Sequence, residues 1–199
     1  MRSGSALLVT FHRHNTIKRL LVQTHWREKV AVLCGFPARP GQIIVPPMSE
    51  CVIVQVPLFS LLCNAAFALR REVFVWEQKV PEEEEHDEYD LTATHFVAVE
   101  AGEVVGTLRL IALPEHAKIG RVAVRQAFRG RGIARRLIGQ AMDHARAGGQ
   151  ERFFLTAQSD KLGFYESLGF VAFGPEFIDG GMPHRAMRNY DRHSAVLLD

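Results

Sequence analysis

The stretch Arg121-Val-Ala-Val-Arg-Gln-Ala-Phe-Arg-Gly-Arg-Gly-Ile-Ala134 carries the residues of this chain best suited to holding a phosphate. A β-rich run enters a glycine-containing turn, and the turn opens a helical pattern. Helix N-termini leave backbone N–H groups unpaired and carry partial positive charge, so they receive anions well. Gly130 and Gly132 put no side chain in the way of a phosphate. Arg129 and Arg131 add charge-assisted hydrogen bonds, each worth about 1.5–3 kcal/mol. A Gly-x-Gly at a helix start also serves as a plain tight turn. The chain has no G-x-x-x-x-G-K-[ST], which excludes a P-loop nucleotidase, and no G-x-G-x-x-G in a first β-α unit, which leaves a dinucleotide fold poorly supported.

Other reactive side chains are scattered. The three cysteines, Cys34, Cys51 and Cys63, are odd in number and form no C-x-x-C pair. That argues against a disulfide framework or a zinc site, so no metal is expected, and it suits a reducing, cytoplasmic setting. Glu77, Glu115, His116 and His184 are the candidate proton acceptors, with nothing in their spacing to choose among them. Tyr165, beside Phe164, is a phenol of ordinary pKa ~10 and a candidate proton donor; a core aromatic is the alternative.

The elements that must position these groups follow from periodicity. Cys51 to Val56 is a short strand ended by Pro57. Leu58, Leu62, Ala65, Leu69 and Val73 form the stripe of an amphipathic helix. Strands are expected at His95–Glu100 and Val104–Leu113, joined by a hairpin at Ala101-Gly102-Glu103, and at Ile119–Val124. A helix follows Gly132, with Ile133, Leu137, Ala141 and Ala145 on one face and Gly148-Gly149 at its end. Next come a strand at Phe153–Ala157, a short helix at Asp160–Leu168 closed by Gly169, and strands at Phe170–Phe177 and about His184–Asn189. The order is mixed α/β.

Two of these patterns resemble one known family. Arg129-x-x-Gly132-x-Ala134 matches the R/Q-x-x-G-x-G/A signature of the GNAT acyl-CoA N-acyltransferase superfamily, and it follows Val122-Ala123-Val124 as that family's strand does. Phe164-Tyr165-Glu166-Ser167-Leu168-Gly169-Phe170 is similar to the family's F/L-Y-x-x-x-G-F block. Arg71–Gln78 and Asp179–Met187 further resemble the bacterial ElaA-like branch. The resemblance covers about residues 50–190.

It implies a mixed, mostly antiparallel sheet flanked by helices, with acyl-CoA in a splay between the fourth and fifth strands. By the same resemblance, Val122, Ala123 and Val124 would bind the pantetheine arm. The amides of Gly130, Arg131, Gly132, Ile133, Ala134 and Arg135 would hold the pyrophosphate, with Arg129 flanking. Tyr165 would protonate the leaving thiolate. Where relatives carry Asn seven residues before that Tyr, this chain has Gln158, which can still hydrogen-bond the cofactor; where they carry Ala four before it, this chain has Lys161. The implied reaction moves an acetyl group from acetyl-CoA to a small-molecule or peptide amine by direct attack in a ternary complex. The rival from another class is a binding module that senses acyl-CoA without turnover.

Charge is distributed unevenly. Residues 1–47 carry seven Lys/Arg against one Glu, a net +6, and the remainder sums to −4. The first 47 residues, ending in Pro37, Pro40-Gly41 and Pro46-Pro47, are read as a basic, poorly ordered extension before a domain over 48–199. The acidic remainder and the lack of a stacking motif argue against a nucleic-acid partner. The richest apolar run, Leu58–Leu69, is too short to span a bilayer, so no membrane partner is expected. A homodimer is compatible with the pattern. The seven carboxylates between Glu82 and Asp90 are read as a solvated loop.

Overall fold

A computed structural model describes residues 50–191. The basic extension expected over residues 1–47, and with it the boundary near Met48, falls outside the described residues. Among the described residues, seven strands form one sheet in the order β1-β2-β3-β4-β5-β7-β6. They are β1 Val52–Val56, β2 Thr94–Glu100, β3 Glu103–Ala112, β4 Ala117–Val124, β5 Phe153–Gln158, β6 Val171–Asp179 and β7 Met182–Arg188. Neighbours run antiparallel except β4 and β5, which are parallel. The expected mixed, mostly antiparallel sheet flanked by helices is therefore present.

The strand residues alternate between two cores. Phe96 and Ala98 of β2 feed one side, and Val97 between them feeds the other. On the Val97 side lies helix α1, Leu61–Arg70, whose Cys63, Ala66 and Leu69 are fully buried. Its start is set by Ser60, whose hydroxyl accepts from Cys63 N at 3.1 Å. A π-helical segment, Arg71–Glu77, continues it, and Gln78 N donates to Val73 O, five residues back. Such segments re-aim the side chains that follow them. A short helix α2, Glu82–Glu85, comes next.

On the other side lies α3, Ile133–Ala147, which buries Ile133, Leu137, Ile138, Ala141 and Met142. It crosses β3 at Gly106, where an added Cβ would sit 3.1 Å from both Ile133 Cγ2 and Leu137 Cδ1. The glycine is what lets the helix approach so closely. Helix α4, Leu162–Glu166, packs on this side through Phe164 and Tyr165.

The acidic segment is only in part the solvated loop expected from its composition: Glu82, Glu83, Glu84, Asp87 and Glu88 are exposed, and two carboxylates are not. Glu85 and Asp90 are buried, at 1% and 5% exposure, against Arg70 at 1%. Arg70 Nε donates to Glu85 Oε1 at 2.5 Å, and its two terminal nitrogens reach Asp90 at 2.7 and 3.0 Å. Arg109 on β3 adds contacts to Asp90 at 2.8 Å and to Asp87 at 2.6 and 2.8 Å. Burial by itself would raise Asp90, but the two guanidiniums outweigh it and hold its carboxyl well below the usual range. The physical reason for the correction lies in Arg70 and Arg109, which are remote in sequence and need internal counter-charges once buried.

Candidate functional site

The feature that opens the sheet is the join between β4 and β5. They pair only at Ala117–Phe153 and Lys118–Phe154, then diverge. A bulge in β4 accompanies the divergence. Thr107 faces Ala123 and Arg109 faces Gly120, so Arg121 and Val122 together oppose Leu108. Arg121 takes φ of +52° to make it. The bulge also resets the alternation, so Ile119, Val122 and Val124 all pack toward the α3 core. From Ile119 onward β4 keeps its β3 neighbour and, among the described residues, has no strand on its other edge. The expected splay between the fourth and fifth strands is there.

A cavity of about 960 Å³ occupies this gap. Val122, Ala123 and Val124 line one wall; Leu155, Thr156 and Gln158 of β5 line the opposite one. Arg129, Gly130, Gly132, Ile133, Ala134 and Arg135 border it from the loop, and Tyr165 from α4. Residues at four separate places in the sequence thus converge. Arg131 does not border the cavity: its side chain turns to Glu100 at 2.8 Å and lies over the Phe128 ring.

The turn has the geometry an anion site needs. Gly130 and Gly132 both take φ of +75°, and an added Cβ at either would meet no atom within 4 Å. Gly132 is the N-cap of α3 and supplies no side-chain cap. The first intrahelical bond runs from Arg136 N to Gly132 O at 3.1 Å, leaving the amides of Ile133, Ala134 and Arg135 without intrahelical carbonyls.

The arginine side chains are differently employed. Arg129 Nε donates to Val124 O at 2.9 Å, and its terminal nitrogens grip Glu77 with two contacts of 2.6 Å. These hydrogen bonds hold the Glu77 carboxyl below its ordinary value. Arg135 donates to Ser167 Oγ at 2.7 Å and so ties the loop to the end of α4. Arg121 donates to the Glu85 and Glu84 carbonyls at 2.9 and 2.8 Å, so it braces the acidic segment.

Tyr165 packs edge-on against Phe164 and Phe170, with centroids at 5.0 and 6.3 Å. Burial pushes its phenol up to about 12. Gln158 donates to Gln78 Oε1 at 3.1 Å, joining β5 to the residue after the π segment. Of the four candidate proton acceptors, Glu77 and His184 border the cavity, whereas Glu115 and His116 do not. His116 instead faces the Tyr190 hydroxyl at 3.0 Å. Val73, Phe74 and Gln78 of the π segment and its exit also line the cavity, although the sequence by itself gave those three residues no role at the site.

The arrangement can take an extended chain along an unpaired strand edge and an anion at the helix N-terminus beside it. Comparisons with known proteins agree with that geometry. Residues 62–190 match the family model described as Acetyltransferase (GNAT) domain. The chain is 38% identical over 124 residues to Uncharacterized N-acetyltransferase YjcF of Bacillus subtilis, covering 61% of this chain and 88% of that protein. Among solved structures it is similar to an acyl-CoA N-acyltransferase from Pseudomonas aeruginosa, at 30% identity and a TM-score of 0.65, over 71% of this chain and all of that one. Escherichia coli ElaA superposes with a TM-score of 0.63 at 28% identity, over 72% of this chain and 100% of that one.

Proposed function

The chain belongs to the GNAT acetyltransferase family, and from that membership we propose that it moves an acetyl group from acetyl-CoA to an amine by direct attack in a ternary complex. The observation that carries the reading is the gap between β4 and β5, closed at Lys118–Phe154 and ending at the uncapped start of α3. The pantetheine arm, which resembles a short peptide, lies along Val122, Ala123 and Val124 and takes the backbone hydrogen bonds that β5 does not. The pyrophosphate sits on the amides from Gly130 to Arg135. Arg129 flanks it, exchanging part of its grip on Glu77 for the phosphates. Gln158 holds the cofactor from the β5 side.

An amine attacks the thioester carbonyl; the C–N bond forms, the C–S bond breaks, and Tyr165 gives its proton to the sulfur. With its phenol pushed up to about 12, Tyr165 stays protonated throughout the physiological range. The same burial that disfavours a phenolate disfavours a bare thiolate, which helps the proton move. The largest contributions are the alignment of the two reactants and polarisation of the carbonyl by backbone N–H groups. None of these steps uses a cysteine. Cys51 and Cys63 are buried free thiols, which suits a cytoplasmic setting.

The direct test is a thiol-release screen across amines with acetyl-CoA as donor. Release with an amine present, above that with acetyl-CoA alone, is the expected result. Tight acetyl-CoA binding without release in any case would replace the transferase with a non-catalytic sensor. The anion site has its own check in Gly132→Asn. Asn tolerates the left-handed backbone that Gly132 adopts, while its side chain fills the space in front of the amides. Acetyl-CoA affinity by calorimetry should fall tenfold or more, about 1.4 kcal/mol, in a variant whose thermal unfolding is little changed. Unchanged affinity would move the pyrophosphate elsewhere.

A further inference from the structure

We propose that His184 is the general base that deprotonates the acceptor amine, an inference that rests on the transferase reading above. His184 lies on β7 directly opposite Gln158 of β5, so the two side chains share one face of the sheet. That face is the one carrying the π segment, since Gln158 reaches Gln78 there. Tyr165 lies on the other face, packed into the α3 core. Both residues border the same cavity. The acid for the leaving sulfur and the base for the entering nitrogen therefore stand on opposite sides of the β4–β5 gap, as attack on a carbonyl carbon between them requires.

The ring is set up to accept a proton. His184 Nδ1 lies 2.9 Å from Met182 O. A carbonyl oxygen can only accept, so Nδ1 carries the hydrogen and Nε2 keeps its lone pair. Nε2 has no hydrogen-bond partner among the described residues, and the Phe177 ring lies stacked beside the imidazole, with centroids 6.2 Å apart. After proton uptake the Met182 carbonyl faces an imidazolium, which it stabilises.

The carboxylates around the cavity are worse placed. Glu77 is held by Arg129, Asp87 by Arg109 and Asp160 by Lys161. Glu84 and Asp179 border the cavity as exposed side chains. In the step itself, the amine arrives as an ammonium and gives one proton to His184 Nε2, which passes it to solvent. The neutral nitrogen attacks, a second proton leaves it to solvent as the amide forms, and the sulfur takes the Tyr165 proton. Tyr165 recovers a proton from solvent, so the net change is one proton released.

Ethylamine and methoxyamine test the role, because they match in size and differ in basicity. Ethylamine is an ammonium ion at neutral pH and needs a base; methoxyamine is already neutral. In the full-length protein, His184→Gln should lower thiol release from acetyl-CoA at least tenfold with ethylamine and much less with methoxyamine. Acetyl-CoA affinity measured by calorimetry should match the parent. An equal loss with both amines would reduce His184 to a packing residue, and no loss with ethylamine would exclude it as the base. A second readout needs no turnover: nitrogen NMR of the parent should show His184 protonated at Nδ1 and bare at Nε2, and a hydrogen on Nε2 in the neutral ring would overturn the proposal. Failure of the parent itself to bind acetyl-CoA would overturn the transferase reading instead, a result separate from either His184 readout.

Discussion

Tyr165→Phe should lower turnover by about 10²–10⁴-fold, the range typical of a lost general acid, while acetyl-CoA affinity stays close to the parent's. The substitution removes one hydroxyl and keeps the ring. The edge-on contacts with Phe164 and Phe170 survive it, so packing and stability should change little. Affinity should hold because the grip on the cofactor comes from backbone groups of the β4 edge and the Gly130–Arg135 turn, which the phenol does not touch. The pH dependence gives a second check. A phenol pushed up to about 12 loses its proton only there, so Tyr165 should contribute no alkaline fall in rate at lower pH. The measurement is the steady-state rate for both forms with the best amine from the screen, beside calorimetric binding of acetyl-CoA. Equal rates would leave Tyr165 as a core aromatic and nothing more.

Arg70→Met should destabilise the fold by about 3–5 kcal/mol, the cost of leaving buried charges without their partner. Met fills much of the same volume, so the loss reads the charge and not a cavity. Glu85 would lose its Arg70 contacts, and Asp90 would keep Arg109 as its one arginine, beside the Asp87 amide and the His86 ring. The sign with pH follows from Asp90, whose folded-state pKa is depressed. Its contribution in the parent is present above the ordinary carboxylate value of about 3.9 and disappears as pH falls toward the folded value. The gap between parent and variant should therefore be widest near neutrality and narrow on acidification. Urea unfolding at neutral pH and below about pH 3, under the ordinary carboxylate value, measures both. A neutral-pH loss below about 1 kcal/mol would show that the cluster contributes no more than a surface pair does.

These two residues also mark the limits of a sequence reading. The place of Tyr165 beside the cavity was legible because its neighbours are local: Phe164, Gly169 and Phe170 lie within a few residues of it and share one short helix and its exit. Arg70 was not. Its position beside the apolar stripe, next to Leu69, gave no hint that the chain would return Glu85 and Asp90 to it. Composition misled in the same place, since carboxylates crowded into a few residues usually mean a solvated face, and the decisive fact was the burial of arginines elsewhere. His184 falls between the two cases. Its residue type made it a candidate, but a lone histidine says nothing about which nitrogen is free until the Met182 carbonyl is seen beside it.

Sequence alone determined the order of the strands and of α1, α3 and α4, the hairpin at Ala101-Gly102, the amphipathic faces of α1 and α3, and the strand-turn-helix around Gly132. Each of these is set by contacts within one or two turns of chain, where periodicity and left-handed glycines leave few alternatives. Only the tertiary structure decided where β4 leaves β5, that Arg129 grips Glu77, and that Tyr165 and His184 stand on opposite faces of one gap. Those facts depend on pairing registers between strands that lie dozens of residues apart. No local pattern encodes a register: it is chosen by the packing of both sheet faces at once, and a single bulge at Arg121 is enough to change which side chains meet.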